Sequence, residues 1–119
     1  MTHPGADIHI AGHTTHDLYD GEYVAGGCAL FGAHVYRALG ADVRLLTAVG
    51  EDFECDRALD ELDAEIHRGG RTTTFRNIYP EEGPRHQVIQ DLAPMMDPGW
   101  YDSDALSGAS VLHLAPVLT

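Results

Sequence analysis

The sequence contains no lysine: its seven basic residues are all arginine, set against nineteen aspartates and glutamates, for a formal net charge of -12. Such a balance repels phosphate backbones and anionic headgroups, so the chain is expected to bind neither nucleic acid nor a membrane surface. Cysteine is equally scarce. Cys28 and Cys55 stand far apart in sequence and form no disulfide framework, so two free thiols in a reducing compartment are expected. No apolar run approaches the roughly 18–20 residues that span a bilayer, and no basic region precedes an apolar one at the N-terminus, which points to a soluble, cytoplasmic protein. Also missing are the GxxxxGK[ST] loop, the GxGxxG turn and the Gly-x-Ser-x-Gly elbow, so P-loop, dinucleotide and serine-hydrolase readings have no support. At 119 residues the chain can bury one modest core, and a single compact unit is expected.

What is present is organised around Gly26 to Phe53. Gly26 and Gly27 lack a Cβ and precede a helical pattern that runs to Gly40, a C-terminal stop. Peptide N–H groups at such a helix start can point at an oxygen-rich ligand, although a glycine pair there serves close helix packing equally well. Cys28, Phe31, Val35 and Leu39 fall on one helical face, with Ala29, Ala33 and Tyr36 beside it and His34 and Arg37 left for solvent. Val43 to Val49 is then nearly continuous in apolar residues, as in a strand covered on both faces. Helix, turn and buried strand form half of a parallel α/β unit.

The flanking segments extend this pattern. Ile8 to Gly12 reads as a short strand, and Thr14, Thr15, His16 and Asp17 follow at its C-terminal end, where parallel sheets bind ligands. Asp17 is the carboxylate of most interest there, with a turn or cap role as the alternative. Leu18 to Val24 suggests a small hairpin. Glu54 to Ile66 places Cys55, Leu59, Leu62 and Ile66 at helical spacing, with the acidic residues off that face, and reads as a solvated helix. Thr72 to Tyr79 and Arg85 to Gln90 read as two half-polar strands joined by a loop of roughly five residues. A brief helix is expected over Trp100 to Leu106, opened by Asp97 and Pro98, with Trp100 as a packing anchor, and a buried strand over Ser110 to Ala115. His13 and His16 have HxxH spacing, but nothing nearby completes a set of three or four metal ligands, so no metal site is expected.

The stretch from Gly26 to Phe53, with its glycine pair, its Leu39-Gly40 helix end and its Val49-Gly50-Glu51-Asp52 strand end, resembles the substrate-side signature of the ribokinase-like (PfkB) carbohydrate kinases. The resemblance extends to Ile8–Asp17 and Thr72–Tyr79. It implies the N-terminal part of a three-layer α/β/α sandwich over residues 1–119, with a β lid from segments near 18–24 and 72–90, a lid that mediates homodimers in several relatives. It further implies ATP-dependent phosphorylation of a hydroxyl on a small sugar, cyclitol or nucleoside. Asp17, Gly26 and Gly27 would orient that polyol, Cys28 and Phe31 would shape the pocket floor, and Phe75 would cover it. The Gly-Ala-Gly-Asp anion hole with its catalytic base, and the sites for ATP and Mg²⁺, lie downstream in the family, and no such motif occurs here. These residues would then be a substrate-binding half, inactive alone. Phe31 stands where many sugar-kinase relatives have Asn, and Ala115 where a polar sugar contact often follows the last strand, so two polar contacts are missing; Ile10–Asp17, Thr72–Tyr79 and His113–Pro116 look closer to less characterised members, including inositol-kinase-like proteins, than to ribokinase. A non-catalytic ligand-binding or dimerisation module, from a different class, is the alternative.

Overall fold

The computed structural model describes residues 7–102 and 107–117. Two four-stranded sheets share the chain. The first is wholly parallel, in the order β5-β4-β1-β8, from β1 (Asp7–Ala11), β4 (Asp42–Val49), β5 (Asp63–Arg68) and β8 (Val111–Leu114). The second is mixed, in the order β3-β2-β6-β7, from β2 (Thr15–Tyr19), β3 (Glu22–Gly26), β6 (Thr74–Ile78) and β7 (His86–Asp91). In it β2 runs parallel to β6, while β2–β3 and β6–β7 are antiparallel hairpins. The two lid segments expected from sequence therefore form one sheet. The first hairpin is longer than Leu18 to Val24 and turns at Asp20 and Gly21.

The helix α1 (Cys28–Ala38) carries the chain from the second sheet back to the first and packs on β4 and β1. Its stop is as read: Gly40 has φ 86° and its N–H reaches the Arg37 carbonyl at 3.0 Å. The buried face is not the one expected. Ala29, Leu30 and Ala33 meet the sheet, while Phe31, Val35 and Leu39 are 56%, 56% and 78% exposed. Small residues decide the outcome, because they let the helix approach the sheet closely. A methyl group added at Gly32 would lie 2.5 Å from Ile10 Cδ1. His34 is half-buried and its Nε2 donates to the Ala58 carbonyl at 3.3 Å. The core comprises Ile10, Leu30, Leu45, Val49, Phe53 and Leu59, and each large side chain buried there contributes about 1.5–3 kcal/mol.

Two further expectations are corrected. Glu54 to Ile66 is not a helix but a 3₁₀ turn (Asp56–Ala58) followed by strand β5. Leu62, Ala64 and Ile66 pack against the core at a spacing of two, which pairing with β4 selects. A separation of four, as between Leu62 and Ile66, satisfies both periods, so the pattern was ambiguous. Strand β8 forms, but Val111, Leu112 and Leu114 are exposed because it is the edge of its sheet. Near the end, a 3₁₀ turn (Pro98–Trp100) is capped by Asp97, whose Oδ1 accepts from Gly99 N–H at 2.8 Å, and Trp100 stacks on His67 at 3.6 Å. The helix expected over Trp100 to Leu106 falls largely on residues 103–106, outside the described residues. No helix among the described residues is long and apolar enough to cross a membrane.

Candidate functional site

Asp17 does not sit in a loop after β1; it occupies the middle of β2. The β2–β3 register pairs Thr15 with Gly26 and Asp17 with Val24, so the carboxylate lies diagonally across from the first glycine of the pair. A methyl group at Gly26 would stand 2.6 Å from Asp17 Oδ2 and 2.8 Å from Thr15 Oγ1. Gly26 is thus bare where the carboxylate needs room. Gly27, the residue before α1, has φ 105°, and a side chain there would meet the His13 carbonyl at 2.6 Å. The helix starts without a side-chain cap, its first ladder bond running from Phe31 N–H to the Gly27 carbonyl at 3.2 Å.

On the other side of β2, Asp17 pairs with Phe75 of β6. Paired residues share a sheet face, and alternation adds the residues two positions along each strand. Thr15, Asp17, Tyr19, Phe75, Asn77 and Ile89 therefore line one face of the lid sheet. Phe75 and Asn77 are buried, Asp17 half-buried. Cys28 and Phe31, expected in the pocket floor, are exposed on α1. The structure thus brings Asp17, Gly26, Gly27 and Phe75 together, and leaves Cys28 and Phe31 exposed on α1.

Burial pushes the Asp17 carboxyl above its ordinary range, against the opposing pull of the Thr15 hydroxyl, which donates to Oδ1 at 3.2 Å, and of the positive charge on Arg85. An ionised carboxylate here accepts hydrogen bonds and can take two substrate hydroxyls. The opposite face of β2 is structural. His16 is fully buried between Tyr23 and Phe53, at ring distances of 4.3 and 5.0 Å, and its Nε2 accepts from Glu54 N–H at 2.9 Å. Burial lowers its pKa, ahead of the opposing charges of Asp52, Glu54 and Asp17.

A second cluster ties the sheets together where the chain enters the lid. Asp52 Oδ1 accepts from Thr72 N–H at 2.8 Å, Thr72 Oγ1 accepts from Gly50 N–H at 2.9 Å, and Arg71 bridges Asp52 and Asp91 at 3.8 and 2.9 Å. The Val-Gly-x-Asp ending of β4 therefore ties the first sheet to the segment that leads into β6. Thr15 was named in the sequence at the ligand-binding end of β1, whereas Asn77 was not singled out, although period-two alternation from Phe75 places it on the same sheet face.

Among the described residues no three His, Cys, Asp or Glu side chains converge on a metal position.

No protein-family model matches the sequence, and no curated protein does. Solved structures do match. Fructokinase from Xylella fastidiosa superposes with a TM-score of 0.74 at 17% identity, over 92% of this chain and 41% of that one. A pyrophosphate-dependent kinase of the ribokinase family, complexed with a pyrophosphate analogue and myo-inositol, gives 0.69 at 18% identity over 92% and 40%. The 2-dehydro-3-deoxygluconokinase of Thermotoga maritima gives 0.66 at 18% identity over 91% and 40%. The chain spans about two fifths of the length of each. It carries the ribokinase-like α/β fold over the part it shares with them, lid sheet included.

Proposed function

We propose that these residues form the acceptor-binding part of a kinase that phosphorylates a hydroxyl of a small sugar, cyclitol or nucleoside. The observation that carries this reading is the meeting of Asp17 with the bare backbone of Gly26 and Gly27 at the start of an uncapped helix. A carboxylate beside a helix start that has no side-chain cap offers acceptors and donors to a molecule dense in hydroxyls. The parallel sheet also ends its strands toward this region, where ligands bind in α/β folds. The structural neighbours named above are a fructokinase, a kinase complexed with myo-inositol and a 2-dehydro-3-deoxygluconokinase, which supports a polyol acceptor.

Phosphoryl transfer is chiefly positioning and charge stabilisation. In this reading Asp17 orients the acceptor by taking hydrogen bonds from hydroxyls flanking the reactive one, and Phe75 gives the ring an apolar surface. ATP with Mg²⁺ is the donor we infer, held, like the general base, by residues other than these. The exposed Val88 and Ile89 on the edge strand β7 support a homodimer through the lid. A transfer screen of the full-length protein over sugars, inositols and nucleosides, with ATP and separately with pyrophosphate, tests the reading. Transfer to a polyol that Asp17→Ala reduces supports it; transfer insensitive to that change removes Asp17 from the site.

A further inference from the structure

Of the five tyrosines in the chain, three have other partners. Tyr23 stacks on His16, the Tyr36 hydroxyl meets His113 Nδ1 at 2.8 Å, and Tyr101 donates to the Thr47 carbonyl at 2.6 Å. Tyr19 and Tyr79 have each other. Their rings stack with centroids 5.8 Å apart and planes 14° from parallel, and the Tyr79 hydroxyl donates to that of Tyr19 at 3.4 Å. The oxygens are closer than the ring centres, so the rings converge toward their hydroxyl ends, and the carbons ortho to the hydroxyls lie at a separation between the two. Tyr79 is 60% exposed and open to a small oxidant.

The pair stands where the two lid hairpins part. The β2–β6 ladder stops at Leu18 and Arg76, one residue before Tyr19 and three before Tyr79. Past that point a cavity of ≈ 420 Å³ opens between residues 18–21 and 76–79, so the two rings bridge a stretch that the ladder does not reach. We propose that Tyr19 and Tyr79 are a site of oxidative cross-linking, where a one-electron oxidant joins the rings as dityrosine and staples the β2–β3 hairpin to the β6–β7 hairpin. Each phenol gives up one electron and its hydroxyl proton, and the two phenoxyl radicals couple through their ortho carbons to form one C–C bond. The hydrogen on each coupling carbon then moves to its ring oxygen and restores both phenols. Two electrons and two protons leave in all, and a haem peroxidase passes them to one hydrogen peroxide, which becomes two waters. Tyr79 is the ring set to react first. When its proton leaves, Tyr19 can turn its O–H to donate in return, and this bond, with the Arg85 guanidinium, lowers the Tyr79 pKa from its ordinary value. A phenolate yields an electron more readily than a phenol. Because the two residues are 60 apart in the chain, the new bond also closes a long loop, which takes freedom from the unfolded chain as a disulfide does.

The test treats the full-length protein with a haem peroxidase and hydrogen peroxide and maps the product by peptide mass. Dityrosine fluorescence is expected in the monomer, with the peptides that carry Tyr19 and Tyr79 joined and lighter by two hydrogens. Tyr19→Phe and Tyr79→Phe keep the ring but cannot form a phenoxyl radical at that position, and each should lower the dityrosine yield on the order of tenfold. The cross-linked protein should melt at a higher temperature than the untreated one, and amides of β2 and β6 should exchange more slowly. The same treatment of Tyr79→Phe should change neither. Cross-links that join other tyrosines, or that form only between two molecules, would overturn the proposal, as would an equal yield in Tyr79→Phe. A Tyr19–Tyr79 bond that leaves exchange and melting unchanged would overturn the staple. Should either variant not fold, the peptide map of the unsubstituted protein decides alone.

Discussion

Asp17 and Gly26 lie diagonally across the β2–β3 hairpin, so that a methyl group on Gly26 would stand 2.6 Å from the carboxylate Oδ2. The atom in the way is the end of a side chain, not backbone, so Gly26→Ala is expected to fold while displacing the carboxylate. Affinity for the polyol should fall on the order of tenfold, about 1.4 kcal/mol. Calorimetric titration checks the first expectation and a thermal melt the second.

Gly27→Ala should behave differently. Its φ of 105° is strained for any side chain, and the obstacle is the His13 carbonyl, part of the backbone. A loss of about 1–3 kcal/mol of folding stability is expected, visible in a denaturant midpoint.

The Asp17 carboxyl gives stability and binding opposite pH dependences. Burial raises its folded pKa above the unfolded value of 3.8, so its favourable contribution to folding is complete below that value and is lost as pH rises through the folded pKa. At neutral pH the charge therefore costs stability, and Asp17→Asn should raise the melting temperature. Binding needs the ionised acceptor, so affinity should decline on acidification with a limb above the usual carboxylate range. The same variant should lose about 1.5–3 kcal/mol of polyol binding. A melting curve at pH 7 and a pH profile of KM test both halves.

Some of these relationships are legible in the residues alone. The Gly40 stop and the apolar run of β4 are local signals with one physical meaning each, and with the glycine pair they placed α1 and β4 within a residue or two. Local pattern failed where two solutions fit. Leu62 and Ile66 suit helix and strand alike, and the choice was made by β4, whose edge takes β5. On α1, bulk argued for burying Phe31, Val35 and Leu39, but close approach to the sheet demanded Ala29 and Ala33. The partnership of Asp17 with Phe75 depends on a parallel β2–β6 pairing over fifty residues apart, which no single-sequence periodicity reveals.

Asp52, which ties the end of β4 to Thr72, also titrates with the fold. Burial would raise the Asp52 pKa, but hydrogen bonds from the Thr72 N–H and hydroxyl and the charge of Arg71 outweigh it, and the net shift is downward. A depressed carboxyl contributes stability that is present above the unfolded pKa and is lost as pH falls through the lower folded value. Asp52→Ala removes the Thr72 acceptor and should cost about 1.5–3 kcal/mol at neutral pH, with a smaller penalty in strong acid. Hydrogen exchange should report faster opening of β6 and β7 than of β1 and β4, since the lost bond ties the lid to the first sheet.

His16 supplies the last expectation, on the face of β2 turned away from Asp17. Its ring stacks on Tyr23 and Phe53 while Nε2 accepts the Glu54 N–H, which requires the neutral form. Its folded pKa is lowered by burial, so its contribution to stability is whole above the unfolded pKa of 6.5 and drains away as pH falls through the folded value. His16→Phe keeps an aromatic ring between Tyr23 and Phe53 but leaves Glu54 N–H without its acceptor, at a cost of about 1–3 kcal/mol. Because Phe cannot take up a proton, the variant should lose less stability than the unsubstituted chain between pH 7 and pH 5. Parallel melting curves across that interval give the comparison, and equal slopes would show that the imidazole of His16 does not carry the acid sensitivity.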